Sequence, residues 1–113
     1  MTDCLFCKIA TGAIPSEFLV ETEHVVAFRD IDPQAPTHVL VIPRAHFQDV
    51  AALTRDDPAL AGEVLAVAAQ VAKIEGLSEG HRIVTNTGIN GGQSVAHVHF
   101  HVLGGRGLTW PPG

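Results

Sequence analysis

The sequence predicts an α+β fold in which a five-stranded antiparallel sheet carries one long helix and a short N-terminal helix. Short apolar runs separated by Pro-, Gly- and Asp-rich turns are typical of strands. One longer segment repeats apolar residues at the spacing of a helix. With 46% hydrophobic residues, a chain of 113 residues can bury about two-thirds of its unfolded surface. No linker, repeat or low-complexity tract interrupts residues 1–113, so we predict a single domain.

The first half of the chain is predicted to form a short helix and a three-stranded meander. The helix covers Leu5 to Thr11 and ends at Gly12, a residue suited to the left-handed conformation at a helix end. A Pro-containing turn then leads into three apolar runs. We predict strands at residues 17–21, 24–29 and 37–42, with a break at 32–36 and an end at Pro43.

The second half is predicted to supply the long helix and the last two strands. Asp56-Asp57 provides a capping carboxylate before Pro58, and the helix runs to Glu75. Its apolar residues recur at helical spacing: Leu60, Ala61, Val64, Leu65, Ala68, Val71 and Ala72. The remaining predicted elements are a short connecting segment at 46–53, a strand at 82–86, a wide hairpin loop at 87–94, a strand at 97–103 and an irregular tail at 104–113.

The charge balance and the N-terminal residues argue against several classes of protein. A net charge of −5 with 7 Lys and Arg disfavours a nucleic-acid polymer as partner, because such binding rests on many phosphate contacts. A small anionic ligand stays possible, since a few local donors can hold it. Met1-Thr2-Asp3-Cys4 is not a basic segment followed by an apolar run, and no apolar stretch of about 18 residues occurs. We therefore expect a soluble, cytoplasmic protein with no membrane partner.

The most informative segment is the predicted last strand, which reads His97-Val98-His99-Phe100-His101-Val102-Leu103. Side chains alternate across a strand, so the three histidines share one face and the residues between them share the other. Imidazole serves as base, nucleophile or metal ligand. The sequence therefore predicts a strand with one packing face and one chemical face.

A glycine-rich loop, Gly91-Gly92-Gln93-Ser94, directly precedes this strand. Glycines let the backbone approach a ligand closely and present amide N–H groups to phosphate oxygens. On its own, a pair of glycines in a hairpin loop usually reflects only turn geometry. Its position beside the histidines favours a site where anion donors and an imidazole converge, as nucleophilic chemistry at phosphorus requires.

These residues resemble the histidine triad (HIT) superfamily, and in particular its nucleotide-binding (HINT) branch. The likeness extends from Leu5 to the C-terminus. The matching stretches, besides the histidine run and the glycine loop, are Phe28-Arg29-Asp30-Ile31, Pro33-Gln34-Ala35-Pro36-Thr37-His38, Val41-Ile42-Pro43 and Trp110-Pro111-Pro112-Gly113. The resemblance implies a HIT-like fold, a homodimer, and hydrolysis of purine nucleoside phosphoramidates and related adenylates, with AMP and GMP as nucleotide partners.

The resemblance assigns roles at the reacting phosphorus. It implies that His99 attacks the α-phosphorus to form a nucleotidyl-histidine, that His38 helps orient this nucleophile, and that His101 lies beside the phosphate. Ser94 and the Gln93 and Ser94 amides would hold phosphate oxygens, with Gly92 in the same loop and Asn86 adding an amide donor. The proton for the leaving amine could come from Ser94 or from His101, and the sequence does not choose between them.

The resemblance also outlines a nucleoside pocket. Asp30 matches a carboxylate that binds the ribose hydroxyls, although an aspartate at a strand end is commonly a turn residue. The apolar positions that match the purine pocket would also pass as ordinary core: Leu5, Phe6, Ile9, Phe28, Ile31 and Leu40. Trp110 lies in the Pro- and Gly-rich tail, where it either reaches toward an active site, including that of a partner subunit, or pins the C-terminus.

The pair Cys4 and Cys7 is half of a tetrahedral zinc site. The resemblance to triad proteins with this N-terminal pair implies that His46 and His97 complete a structural Zn²⁺ site, which would keep His97 out of catalysis. A redox pair and two small buried thiols are the alternatives. We expect no organic cofactor.

Two other functions remain open from the sequence. One is a regulatory protein that senses AMP-like ligands and turns them over only incidentally. The other is a metal-dependent hydrolase in which His97 and His99 jointly hold a catalytic ion, since histidines two apart on a strand can chelate.

Overall fold

The computed structural model describes residues 4–113, so Met1-Thr2-Asp3 of the N-terminal segment lie outside the described residues. The elements are α1 (Leu5–Thr11), β1 (Val20–Glu21), β2 (Val25–Arg29), β3 (Thr37–Pro43), α2 (Val50–Asp56), α3 (Pro58–Ile74), β4 (His81–Thr85) and β5 (Phe100–Gly104). The strands form one antiparallel sheet in the order β1-β2-β3-β5-β4. The predicted α+β class is confirmed. Among residues 4–113, no helix has both the length and the apolar character that crossing a bilayer requires.

Alternation along β2 and β3 gives the sheet two apolar faces. Val25 and Ala27 join Val39 and Val41 in a core that packs against α3. The intervening residues face the other way and pack against Phe6, Ile9 and Ala10 of α1 in a second core: Val26, Phe28, Leu40 and Ile42. The sheet therefore separates the long helix from the short N-terminal one.

The two predicted helices begin and end at recognisable caps. Cys4 Sγ accepts the Cys7 N–H at 3.3 Å at the start of α1, and Gly12 ends it with a φ of 85°. Asp57 accepts the Leu60 N–H at 3.1 Å, and Pro58 opens the first turn of α3. α3 ends at Ile74 with Glu75 as its cap, one residue earlier than predicted.

The segment predicted as a short connection contains a two-turn helix, α2. Asp49 caps its start by accepting the Ala52 N–H at 2.9 Å. Asp57 ends α2 and caps α3 as well, so the two helices are separated by one residue. The helical pattern in this part of the sequence covers only about two turns, and a pattern that short does not distinguish a helix from an irregular connection.

The sheet ladder begins later in β5 than predicted, at Phe100 and not at His97. Backbone groups just before Phe100 bond outside the ladder: the Val98 N–H donates to Phe47 O at 2.7 Å, and Thr85 Oγ1 donates to His99 O at 2.9 Å. The predicted alternation nevertheless holds, since Val98 joins the core beneath α3. The ladders of the two edge strands also differ from prediction: β1 pairs only at Val20–Glu21, and β4 covers His81–Thr85.

Candidate active site

A cavity of about 370 Å³ opens on the α1 side of the sheet. All the apolar positions predicted for a purine pocket line it, from α1, β2, β3 and the turn after β2: Leu5, Phe6, Ile9, Phe28, Ile31 and Leu40. Its polar lining includes Asp30, Ser94, His99 and His101. The fold thus joins an apolar slot to the predicted reacting residues in one cavity.

The ring of His99 is held in one tautomer by the backbone. Its Nδ1 lies 2.8 Å from the carbonyl oxygen of His97, and a carbonyl can only accept, so Nδ1 carries the proton. This leaves a lone pair on Nε2. Burial lowers the pKa of His99, which is 4% exposed, and so favours the neutral ring. His99 has the state that a nitrogen nucleophile needs.

His38 and His101 form a second hydrogen-bonded unit. The Gln34 backbone N–H donates to His38 Nδ1 at 3.0 Å, which places the proton of His38 on Nε2. That Nε2 lies 2.8 Å from His101 Nδ1, which must then accept. The remaining nitrogen of His101, Nε2, carries a proton. The cavity therefore contains one imidazole with a free lone pair, His99, and one with a free N–H, His101.

Charge and burial reinforce this arrangement. Burial, together with the neighbouring His99 and His38 rings, lowers the pKa of His101 to about 4. Asp30 Oδ2 lies 3.4 Å from His38 Nε2, where a carboxylate favours a protonated nitrogen, and Asp30 Oδ1 accepts the Asp32 N–H at 2.8 Å. The hydrogen bonds of His38 go to Gln34 and His101, so the group that directly orients His99 is the backbone of His97 and not His38.

The glycine loop contributes less to the cavity than predicted. Ser94 lines it, but the Gln93 N–H already donates to Gly88 O at 3.0 Å, so it is not the free phosphate donor we expected. The Gln93 side chain donates to Gln48 O at 2.7 Å and to Val95 O at 3.0 Å. Both groups of Gln93 hold the loop in place.

Three further predicted ligand residues lie outside the cavity lining. The Asn86 amide donates to Gly91 O at 2.6 Å, which closes the loop, and Gly92 adopts a φ of 80° within it. Trp110 is 81% exposed in the tail. Within a single chain, Trp110 neither lines this cavity nor plugs the core.

The four predicted metal ligands come together at the N-terminus of α1, with their ligand atoms all within 4.8 Å of one another. His97 Nδ1 lies 3.3 Å from Cys4 Sγ, 3.5 Å from Cys7 Sγ and 3.2 Å from His46 Nδ1, and Cys7 Sγ lies 3.4 Å from His46 Nδ1. Ligands of one tetrahedral ion at the usual bond lengths would lie about 3.3–3.8 Å apart. The four distances given above lie within this range or about 0.1 Å below it.

The tautomer of His97 also suits a metal. Its Nε2 donates to Pro43 O at 2.9 Å, so Nδ1 keeps its lone pair and points it at the two thiols. His97 is fully buried and is absent from the cavity lining. Since His97 clusters with the cysteines and His99 does not, the geometry disfavours an ion shared by His97 and His99.

Sequence analysis missed two residues that shape the site. Gln34 acts through its backbone N–H, which leaves no signal in the side-chain pattern. Arg44 donates to Ala10 O at 2.8 Å and to Glu21 Oε2 at 2.9 Å, and so ties the end of α1 to the sheet edge. Both bonds of Arg44 join residues far apart in the sequence, so the side-chain pattern gave no signal for them.

The family model of the HIT domain matches residues 11–108. The chain belongs to the HIT family. A HIT-like protein from Synechococcus elongatus is 47% identical over 111 residues, which cover 98% of this chain and 97% of that protein. This confirms the resemblance seen in the sequence.

Solved HIT structures have the same fold. A HIT family hydrolase from Legionella pneumophila matches with a TM-score of 0.94 and 49% identity, over 98% of this chain and 100% of that one. A histidine triad nucleotide-binding protein from Candida albicans matches with a TM-score of 0.81 and 36% identity, over 96% of this chain and 82% of that one.

Proposed function

We propose that this HIT protein is a purine nucleotide-binding hydrolase that acts at the α-phosphorus of nucleoside phosphoramidates and related adenylates. The observation that carries the proposal is the bond from His99 Nδ1 to His97 O, which leaves the Nε2 lone pair of a cavity-lining histidine available for attack. The similar Legionella protein is described as a hydrolase and the Candida protein as nucleotide-binding, which agrees with this assignment.

The shape of the cavity suits a nucleoside monophosphate unit. Phe6, Phe28 and Leu40 offer apolar walls for a base, with few directed polar groups to distinguish one purine from another. Asp30 lines the same cavity and can accept hydrogen bonds from ribose hydroxyls. His99, His101 and Ser94 line the same cavity, and we propose that they face the phosphate.

The reaction we propose has two displacements at phosphorus. His99 Nε2 attacks the α-phosphorus, the P–N bond breaks, and the amine leaves with a proton from His101 Nε2 or from Ser94. The product is a nucleotidyl-histidine whose ring is cationic, because Nδ1 keeps the proton that it donates to His97 O. Water then attacks phosphorus and the bond to Nε2 breaks. One proton of the water returns to the donor that protonated the amine, and the other stays on the phosphate of the product. The released product is the nucleoside monophosphate.

Negative charge develops on the phosphoryl oxygens in both steps. The N–H of His101 is directed by the His38 unit and can stabilise that charge, as can the exposed hydroxyl and amide of Ser94. Both groups are in place before substrate binds, so little reorganisation is needed.

We further propose that Cys4, Cys7, His46 and His97 hold a structural Zn²⁺ ion. The donor set and the spacing fit tetrahedral zinc, and a site closed by four protein ligands leaves no position for substrate. When bound, the ion would supply a cross-link between α1 and the run before β5. Both thiols must stay reduced to bind it, which suits the predicted cytoplasmic location.

A homodimer is the assembly we propose. β4 is an edge of the sheet, and α3 exposes Leu65 at 46% and Ile74 at 52% on its outer side. A second copy covering this region would also offer a place for Trp110, which is exposed in a single chain.

Native mass spectrometry with a purine nucleoside phosphoramidate tests the function directly. We expect a transient adduct of one nucleoside monophosphate per subunit, absent in His99→Ala, and release of the free amine. The same spectra report subunit number and bound zinc. Tight binding of AMP with neither adduct nor amine release would overturn the hydrolase and favour the regulatory alternative.

A further inference from the structure

The tail after β5 carries a side chain that reaches the loop between β2 and β3. Arg106 Nη2 donates to Gln34 O at 2.9 Å, and its Nη1 donates to Gly107 O at 2.9 Å. The preceding residue, Gly105, lies against Pro36 of the same loop. Gly105 has a φ of 90°, and a Cβ added to it would lie only 2.8 Å from Pro36 Cβ. The tail and the loop therefore meet at two adjacent points, one of them a charged hydrogen bond.

Gln34 is also the residue that fixes the tautomer of His38. Its carbonyl is held by Arg106 while its N–H points at His38 Nδ1, so the two bonds flank one Cα atom. Within the loop, the Gln34 side chain donates to Asp32 O at 3.0 Å. That bond lies within the loop, whereas the bond from Arg106 attaches Gln34 to the tail.

If the Gln34 N–H no longer donated to His38 Nδ1, the ring nitrogens that carry protons at the cavity would change. Asp30 Oδ2, 3.4 Å from His38 Nε2, would still favour a proton there, but a fraction of the molecules could then carry the His38 proton on Nδ1, with Nε2 as an acceptor. His101 would then carry its own proton on Nδ1, which lies 2.8 Å from His38 Nε2 and would donate to it. The nitrogen of His101 facing substrate would then present a lone pair where the proposed reaction needs an N–H.

We propose that Arg106 is a positioning residue of the active site: by holding Gln34 O, it keeps the Gln34 N–H on His38 and thereby keeps an N–H on His101 Nε2. Arg106 does not line the cavity, so it acts on the chemical step and not on substrate binding. The kinetic consequence rests on the proposed hydrolase function, whereas the effect on the histidine protons does not.

The structural test is ¹⁵N–¹H NMR of the histidine rings in the whole protein, which distinguishes the two tautomers without any substrate. In the wild type we expect His38 and His101 both protonated at Nε2. In Arg106→Ala we expect both rings to shift toward a mixture of tautomers, and in Arg106→Lys, whose ammonium can also donate to a carbonyl, a partial return. Arg82→Ala is the matched control and should leave both tautomers as in the wild type. Arg82 donates to Leu108 O and Thr109 O of the tail but makes no hydrogen bond to Gln34.

The kinetic test uses the same variants with a purine nucleoside phosphoramidate. Arg106→Ala should lower kcat roughly three- to tenfold with KM little changed, the size expected for one lost hydrogen bond. Arg106→Lys should recover part of that loss, and Arg55→Ala, an exposed arginine paired with Asp56, should leave kcat unchanged. Unaltered ring tautomers in Arg106→Ala would overturn the proposal whatever the kinetics show. A wild type that turns over no phosphoramidate would overturn the hydrolase function alone.

Discussion

The ring of Phe6 lies edge-on to the ring of His99, with centroids 4.9 Å apart and planes at 81°. The same ring lies 6.0 Å from His97, and Phe6 follows Cys4 and precedes Cys7 of the proposed zinc site along the chain. One aromatic side chain thus contacts the proposed nucleophile and a proposed zinc ligand, and it also forms part of the cavity wall. The position of α1 is therefore tied to the geometry of the reacting group.

Shortening this side chain should affect both stability and catalysis. Phe6→Leu keeps an apolar residue but removes the edge contacts to both imidazoles, so we expect a loss of about 1 kcal/mol or more of unfolding free energy. We also expect a several-fold drop in kcat/KM. Urea unfolding and steady-state kinetics measure the two effects. Val71→Ala, in the core on the opposite face of the sheet, should destabilise the protein without changing kcat/KM. An equal drop of kcat/KM in both variants would show that Phe6 has no special link to the cavity.

Removal of a cysteine should weaken nucleotide binding as well as metal binding. Cys4→Ser takes away a proposed zinc ligand, whereas serine can still cap α1, so the helix should lose its attachment to His97 and with it the alignment of Leu5 and Ile9 along the cavity. We expect lower zinc content, a lower Tm and a raised KM, measured by elemental analysis, thermal unfolding and kinetics. Lys8→Ala, on the same helix and outside the cluster, should retain its zinc. If Cys4→Ser kept a full complement of zinc, the metal assignment would be wrong.

Local sequence signals predicted the elements that depend on caps and periodicity. Gly12 marked the end of α1, and Asp57-Pro58 marked the start of α3, because those residues determine backbone conformation within a few positions. The alternation of Val98, Phe100 and Val102 correctly placed them in one core. The residues proposed for the cavity wall were predicted in a different way, from their match to the motifs of the family.

What the sequence could not reveal depends on backbone groups and long-range contacts. Gln34 orients His38 through its N–H, and His97 orients His99 through its carbonyl, so neither interaction depends on the side chain of the residue that makes it. The Gln93 N–H looked like a phosphate donor until the structure showed its bond to Gly88. Side-chain patterns identify which groups are present, whereas the fold decides which of them are still free.

Replacing the proposed nucleophile should abolish turnover while the protein stays folded. His99→Ala removes the Nε2 lone pair but keeps the other residues that line the cavity, so kcat should fall on the order of 10³-fold or more. Steady-state kinetics measure the fall in kcat, and rapid-quench experiments show whether the nucleotidyl-enzyme forms. Circular dichroism checks that the variant is folded. Substitution of the exposed His24 by Ala should leave the rate intact. Near-normal activity of His99→Ala would exclude the covalent mechanism.

Asp30 should discriminate between sugars. Asp30→Asn keeps an oxygen to accept the Asp32 N–H but loses the negative charge that strengthens bonds from ribose hydroxyls. We expect KM to rise roughly tenfold for a ribonucleoside phosphoramidate, and much less for the matching 2′-deoxy substrate. Parallel kinetics on the two substrates provide the comparison. The same rise with both would mean that Asp30 acts through His38 and not through the sugar.

Burial of neutral histidines should make the protein less stable in mild acid. The pKa of His101 is lowered to about 4, chiefly by burial, whereas in the unfolded chain the ring titrates near pH 6.5. Between these values the unfolded state binds the extra proton, so its free energy falls and folding stability drops as the pH goes down. The contribution is therefore fully present above about pH 6.5 and declines toward pH 4. His101→Asn cannot take up this proton, so its urea midpoint should fall less than that of the wild type between pH 7 and pH 5. Midpoints that fall in parallel would show that His101 is not held neutral by the fold.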